Sequence, residues 1–328
     1  MIWWQALNDL AWFQALLLLG GLALIVFGAD WLVDGASGVA RRFGLSEFVI
    51  GLTIVGMGTS APEMVVSFIG AFQGNADIAI GNVVGSNIMN TLLILGLTAI
   101  ILPMAVTPSN RKRDIPMNLG ITVLLILLGL KYTIFRLGSN GLSRWDGGIL
   151  IAVFILYMWS CFTTGQAEEE GDAPAKKRSV GLCLLLIAAG LAGLIIGGNL
   201  FVNNATKLAH EMGVSDKFIA ITILAGGTSM PELATCVVAA AKKKGQLALG
   251  NIIGSNVFNI LLILGGSALI HPLSFEHITF VDLGVLLVSA LALVSALFIG
   301  KKNKIDRLDG SLFLLVWAAY MAFLISKL

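Results

Sequence analysis

Apolar residues run through this 328-residue chain in blocks of about 20, the length that carries a helix across a bilayer. The blocks are separated by short polar connections. Windowing on that length predicts ten segments, at roughly 13–36, 47–70, 78–101, 116–135, 146–164, 180–203, 216–239, 247–270, 278–299 and 309–327. The second is interrupted by a Pro, a carboxylate and two hydroxyls, in the run Gly56-Met57-Gly58-Thr59-Ser60-Ala61-Pro62-Glu63. The seventh repeats the interruption: Thr228, Ser229, Pro231 and Glu232 stand 169 residues after Thr59, Ser60, Pro62 and Glu63. A second block, Gly81 to Asn90, returns at the same offset as Gly250 to Asn259. A register unbroken over such a span marks an internal duplication. It divides the chain into a five-segment unit at 1–163, a linker at 164–179 and a second five-segment unit at 180–328, with the motif-bearing stretches at about 47–102 and 216–271.

Composition agrees with the windows. Hydrophobic residues make up 57% of the chain, charged residues 12%, and the mean hydropathy is +0.91. Soluble domains carry about 25% charged residues, so the expectation is an all-α, multi-pass integral membrane protein, with the lipid bilayer as partner and nucleic acid excluded. Cys161, Cys183 and Cys236 are scattered through apolar segments without Cys-x-x-Cys spacing and read as packing residues. The N-terminus has no basic leader region, and Trp3, Trp4 and Trp12 read as interfacial anchors. Glu168 to Glu170 and Lys176 to Arg178 make the linker a solvated charge run, and His210, His271 and His277 read as solvated loop residues.

Basic residues fix an orientation. The connections after odd-numbered segments hold 15 Lys and Arg, against six on the other side, and cytoplasmic loops are the Lys/Arg-rich ones. Both termini are therefore expected outside, extracellular or periplasmic, in a cell (inner) membrane protein. A unit of five segments makes the second copy enter from the opposite side, an inverted repeat. Its edges agree: Gly28, Asp30 and Asp34 align with Gly197, Asn199 and Asn203, while Ser46-Glu47 and Ser215-Asp216 suit helix N-caps. Pro103 and Pro272 mark where the third and eighth segments should stop. Asp30 and Asp34 read as packing or cap residues, and Asp114, Asp146, Asp282, Asp306 and Asp309 as helix-boundary residues.

The chemistry lies in the duplicated blocks. Pro62 has no N–H and crowds the carbonyl four residues back, so Gly58 is expected to be released at a helix break, as Gly227 is by Pro231. Irregular backbone at membrane depth is tolerated where it is buried or lines a cavity, and broken helices are how transporters hold small cations. A Pro kink alone would only shape packing. Beside it, however, stands a carboxylate whose ionised form at the bilayer centre costs about 2.5–3.5 kcal/mol, and this cost recurs at matching positions, Glu63 and Glu232. Asn82, Ser86 and Asn90 share one helix face, as do Asn251, Ser255 and Asn259. Gly-x-x-x-Gly spacing there serves close helix packing, which does not require the amides. The set is dense in oxygen donors, the environment a hard cation such as Ca²⁺ or Na⁺ prefers, and lacks the His and Cys of a soft-metal site.

At these residues the chain resembles the cation/calcium antiporter superfamily, in its prokaryotic sodium/calcium exchanger branch. GTSAPE at 58–63 and GTSMPE at 227–232, each followed by GNxxGSN at 81–87 and 250–256, match its signature. The resemblance implies a core of the second, third, seventh and eighth segments around a central Ca²⁺ site that competes with Na⁺ sites, with the first and sixth sliding across it. It implies that Glu63, Glu232, Thr59 and Thr228 hold Ca²⁺, and that Ser60, Ser229, Ser86, Ser255 and the Gly56 and Ala225 carbonyls complete Na⁺ sites. Asn90 and Asn259 depart from relatives that carry an Asp at one of these positions.

The function expected is Na⁺/Ca²⁺ antiport by a chain that is monomeric and not an enzyme, its ions being cargo and no cofactor being required. K⁺-dependent or H⁺-coupled antiport and a passive cation channel are the alternatives. Channels more often build filters from rings of several subunits. An intramembrane enzyme would need a base beside Ser60 or Ser229, and no His or intramembrane Lys supplies one.

Overall fold

The computed structural model describes residues 11–164, 178–212, 225–275, 278–299 and 303–326. Trp3, Trp4, Ser215, Asp216, His277 and the charge run of the linker up to Lys177 lie outside them. The described chain is mostly helical. Its first helix, α1, spans Ala11–Phe43, followed by the bent pair α2 (Glu47–Thr59) and α3 (Ala61–Phe72), inclined at 49°. After them come α4 (Ala76–Ile101), α5 (Ile115–Gly129) and α6 (Lys131–Phe135); α7 (Arg144–Thr164) closes the first half. The second half contains α8 (Val180–Glu211), α9 (Ala225–Gly227), α10 (Met230–Ala241), α11 (Gly245–Ile270), α12 (Phe280–Ser295) and α13 (Arg307–Ser326). Six of these are long and apolar enough to cross a membrane, and the bent pair would make a seventh.

Several boundaries depart from those predicted. The first segment was expected to end at 36 and the sixth at 203, yet α1 continues to Phe43 and α8 to Glu211. An apolar window stops at the first polar residues, whereas the backbone stays helical because those residues find partners. Asp30 and Asp34 are neither caps nor packing residues: both bind Lys242 Nζ, at 2.7 and 2.6 Å, and Asp34 also binds Arg178 at 3.0 Å. Ser37 accepts from Lys244 at 2.6 Å. At 33 and 32 residues, α1 and α8 are about 50 Å long, more than the ~30 Å hydrocarbon core, so they lie tilted or extend past it. The fourth segment begins early, in a wide π-helical turn at Asn110–Asp114, and breaks at Leu130 instead of running to 135. The ninth is shorter than predicted, starting at Phe280 behind a Thr279–Asp282 capping box and ending at Ser295.

Other stops fall where the sequence put them. Leu102 and His271, each preceding a Pro, take extended backbone that the following ring favours and end α4 and α11. Ser46 caps α2 by accepting from the Val49 N–H at 3.2 Å.

Contacts between the halves come in matched pairs. In the first pair of helices, α1 and α8 cross on glycines, where a Cβ on Gly21 would sit 2.9 Å from the Gly197 carbonyl and one on Gly190 would sit 2.7 Å from that of Gly28. The last helix of each half packs on the other half's motif helix, Gly310 of α13 against Gly96 of α4 and Gly147 of α7 against Gly265 of α11. Arg307 Nε donates to the Ile100 carbonyl at 3.0 Å and Arg144 Nη2 to that of Ile270 at 3.4 Å, cations placed at the negative ends of α4 and α11. Two short antiparallel ribbons pin the loops across the halves: β1 (Met104–Ala105) pairs with β4 (Lys304–Ile305), and β2 (Gly141–Leu142) with β3 (Leu273–Ser274). Asp114 and Asp282 are more than boundary residues, since Tyr157 and Tyr320 donate to them at 2.9 and 2.7 Å.

These backbone approaches leave no room for side chains at the crossing. Gly190→Val is predicted to lower the apparent Tm of the purified protein by the equivalent of about 1–3 kcal/mol of overpacking. Gly148→Ala, where a Cβ meets nothing within 4 Å, should leave it unchanged. A thermal melt monitored by size-exclusion recovery measures both.

Candidate functional site

The site forms where the bent helices meet α4 and α11 at the centre of the described structure. Both bends fall on a Ser with nearly the same backbone, Ser60 at φ −81°, ψ 9° and Ser229 at φ −88°, ψ 7°. The Pro two residues on is confined to the first turn of α3 and of α10, where a missing N–H costs least. That places Glu63 and Glu232 in the first turns of these helices, where the helix dipole favours a carboxylate.

Glu63 and Glu232 are completely buried. Each is held by one Ser of its own half and one of the other. Glu63 Oε1 accepts from Ser86 at 3.3 Å and Ser229 at 3.1 Å, and Glu232 Oε1 accepts from Ser255 at 3.4 Å and Ser60 at 2.8 Å. The second oxygen of each carboxylate, Oε2, is buried without a partner. None of the ion pairs formed by the described residues involves either Glu. Two buried carboxylates with bare oxygens and no ion-pair partner among the described residues suit a cation, whether a metal ion or a proton, because an uncompensated buried charge costs several kcal/mol.

Neutral oxygens complete the surroundings. Thr59 Oγ1 donates towards Asn251 Oδ1 at 3.2 Å, and Thr228 Oγ1 towards Asn82 Oδ1 at 3.5 Å, again across the halves. The Gly56 carbonyl receives the Ser60 N–H at 3.1 Å and the hydroxyls of Thr59 and Ser255, each at 3.4 Å. Ala225 opens α9, at the edge of the described residues. Asn90 and Asn259 are fully buried in π-helical stretches, Met89–Ile94 and Phe258–Leu264. Such wide turns are frequent at functional sites. The Asn90 Oδ1 and Asn259 Oδ1 oxygens are without partners. Gly58 and Gly227 both face α8, where a Cβ would come 2.6 Å from Leu191 Cδ2 and from Val202 Cγ2.

The backbones are brought together by glycine. A Cβ on Gly250 or Gly254 would stand 2.2 Å from the Phe48 or Leu52 carbonyl, so α2 touches α11 main chain to main chain. An open, mostly apolar cavity of about 380 Å³ leads in between α3, α8 and α10, past Pro62, Asn199 and Pro231 to Thr228.

Two site residues escaped the sequence reading. Ser67 accepts from Asn82 Nδ2 at 3.0 Å, and its counterpart 169 residues on is Cys236, whose Sγ accepts from Asn251 Nδ2 at 3.2 Å. Cys236 is therefore a support for Asn251 as well as a packing residue. The signal was present in the shared offset, but a Ser-to-Cys change hides it from motif matching. No group of three or more His, Cys, Asp and Glu able to hold a metal occurs among the described residues, which leaves the two carboxylates and neutral oxygens as the donor set.

The family model described as sodium/calcium exchanger protein matches residues 13–163 and 182–326. The putative antiporter CaxA of Alkalimonas amylolytica is 38% identical over 94% of this chain and 97% of its own. The sodium/calcium exchanger MaX1 of Methanosarcina acetivorans is 32% identical over 94% and 97%. Among solved structures, the sodium-calcium exchanger NCX_Mj soaked with Na⁺ and Sr²⁺ superposes with a TM-score of 0.82 at 36% identity, covering 95% of this chain and 99% of that one.

The donor set generates a direct prediction. Glu63→Gln and Glu232→Gln should each weaken divalent-cation binding at least about 100-fold, the scale of losing one partner from a buried charge cluster, while the protein stays folded. Asn90→Ala should be milder. Equilibrium ⁴⁵Ca²⁺ binding to the purified protein checks this; wild-type affinity in Glu63→Gln would remove the carboxylates from the site.

Proposed function

Because this chain belongs to the sodium/calcium exchanger protein family, a family of transporters and not of enzymes, we propose that it exchanges Na⁺ for Ca²⁺ across a cell membrane by alternating access. The observation that carries the reading is the pair of fully buried carboxylates, each with a bare oxygen and with no basic partner among the described residues. Hard cations match such a donor set. Glu63, Glu232, Thr59 and Thr228 take Ca²⁺, and Ser60, Ser86, Ser229, Ser255 and the Gly56 and Ala225 carbonyls serve Na⁺, the roles the motif suggests; we add Asn90 and Asn259 to the Na⁺ oxygens on account of their unpaired Oδ1 atoms.

We read the chain as ten spanning segments in two inverted units, 1–163 and 180–328. The matched crossings of α1 on α8, α7 on α11 and α13 on α4 support that symmetry. Inverted units give a central site two mirror-related entrances. With both termini outside, the cavity beside Thr228 faces outward. Lys242, bonded to Asp30 and Asp34, then ties α1 to the cytoplasmic end of α10. Both copies of the motif lie in one chain, and we read the transport unit as a monomer.

Charge decides the coupling. With Glu63 and Glu232 ionised the empty site carries −2, and Asn90 and Asn259 add nothing. One Ca²⁺ or two Na⁺ neutralise it, whereas three Na⁺, the number the family resemblance suggests, leave +1. One net charge crossing the membrane is worth about 2.3 kcal/mol per 100 mV, so an inside-negative potential drives Na⁺ entry and Ca²⁺ extrusion.

Two predictions test this reading. Single Cys probes at Lys243 and Asn75 should label from opposite faces of intact cells, Lys243 from the cytoplasm; labelling of both by an impermeant external reagent would end the inverted-repeat reading. In proteoliposomes, Na⁺-driven Ca²⁺ flux should change with imposed K⁺ diffusion potentials of either sign. Flux indifferent to voltage would point to two Na⁺ per Ca²⁺, and flux without a Na⁺ gradient but with K⁺ or H⁺ would reassign the coupling ion.

A further inference from the structure

The serine and threonine hydrogen bonds that link the two halves around the Glu pair repeat, whereas those along the facing sides of α4 and α11 do not. Asn259 Nδ2 donates to Asn87 Oδ1 at 3.0 Å, Asn87 Nδ2 donates to the Asn256 carbonyl at 3.2 Å, and Asn256 Nδ2 donates to Thr91 Oγ1 at 2.8 Å. Under the 169-residue register the first bond has a counterpart, from Asn90 Nδ2 to Asn256 Oδ1. That counterpart is missing, and both of its atoms are buried without a partner. All four asparagines are buried to 2% exposure or less.

A single residue type accounts for the difference. Thr91 corresponds to Ile260, and both are buried. Only α4 offers a hydroxyl at this place, and it takes the amide nitrogen of Asn256. The Ile260 side chain cannot accept, so Asn87 keeps its nitrogen on the Asn256 backbone and its oxygen on Asn259. Asn259 is thereby anchored through its nitrogen, which leaves its Oδ1 as a pre-set ligand oxygen. Asn90, in the same place on the other half, has neither amide atom engaged.

We propose that Thr91 is a positioning residue that, by holding Asn256 away from Asn90, leaves Asn90 as the one adaptable amide of an otherwise pre-organised cation site. This rests on the cation-site reading given above. A site that must accept a divalent ion and then monovalent ones has to fit two coordination demands with one set of oxygens. A fixed Asn259 supplies affinity by pre-organisation. A free Asn90 turns its oxygen towards a bound cation and relaxes on release, which keeps exchange fast. Fixing both amides would tighten Na⁺ binding, the role given above to Asn90 and Asn259, and slow turnover.

The test uses full-length protein. Thr91→Val keeps shape and removes the hydroxyl that fixes the Asn256 nitrogen, letting that amide turn its unpaired oxygen towards Asn90. The concentration of Na⁺ that half-displaces ⁴⁵Ca²⁺ should fall about five-fold, the size of one neutral hydrogen bond, and maximal exchange should slow. Thr91→Ser should behave as wild type, and Thr91→Val should have no further effect in an Asn90→Ala background. Ile260→Thr, the reciprocal change, should draw Asn87 off Asn259 and raise the half-displacing Na⁺ concentration about five-fold; it serves alone if Thr91→Val does not fold. Wild-type behaviour of the variants, or a Thr91→Val effect that persists with Asn90→Ala, would overturn the positioning role while leaving the exchanger reading intact. Wild-type protein that binds neither Ca²⁺ nor Na⁺ would overturn both.

Discussion

Two carboxylates at the centre of the structure, Glu63 and Glu232, have no basic side chain beside them among the described residues, and the rest of the arrangement follows from stabilising that charge. A buried anion needs either a partner or many donors. Here each Glu receives two serine hydroxyls and keeps one oxygen bare. The partial stabilisation is suited to cargo that must leave again. A fixed Lys or Arg would satisfy the carboxylates permanently and close the site to cations.

The hydroxyls arrive from opposite halves of the chain. Ser60 serves Glu232 and Ser229 serves Glu63, while Thr59 and Thr228 lean on Asn251 and Asn82 of the other half. Neither half builds a complete shell by itself. The crossing is possible because Gly250 and Gly254 let α2 and α11 touch through their backbones, an approach that small residues permit wherever helices associate without a hydrophobic driving force. The same principle operates at the edges, where Gly21, Gly28, Gly190 and Gly197 bring α1 against α8.

Charge outside the site divides by position. Asp30, Asp34, Lys242 and Arg178 link α1 to α10 and to the start of α8. Asp114 and Asp282 instead anchor the fourth helix of each half to the Tyr of the fifth. These acids sit at the same edges of the apolar windows and look alike in sequence. What separates them is which neighbour stands opposite, and that neighbour is 38 to 212 residues away along the chain.

The sequence by itself determined the helical class, the helix stops before Pro103 and Pro272, the helix breaks beside Pro62 and Pro231, and the placing of two carboxylates, Glu63 and Glu232, within apolar runs. Each follows from local physics: apolar length, the missing N–H of Pro, the cost of a carboxylate in an apolar run, and the 169-residue echo that shows each feature twice. It did not determine how far α1 and α8 extend, because a hydrophobic window cannot register polar side chains that are satisfied by distant partners. It did not reveal that Cys236 takes the place of Ser67 as the support of an asparagine, nor that Thr91 captures Asn256 and leaves Asn90 unbonded. Those depend on which atoms face one another once α4 and α11 are packed, and a duplicated sequence predicts symmetry there. Only the tertiary structure shows where a single hydroxyl breaks it.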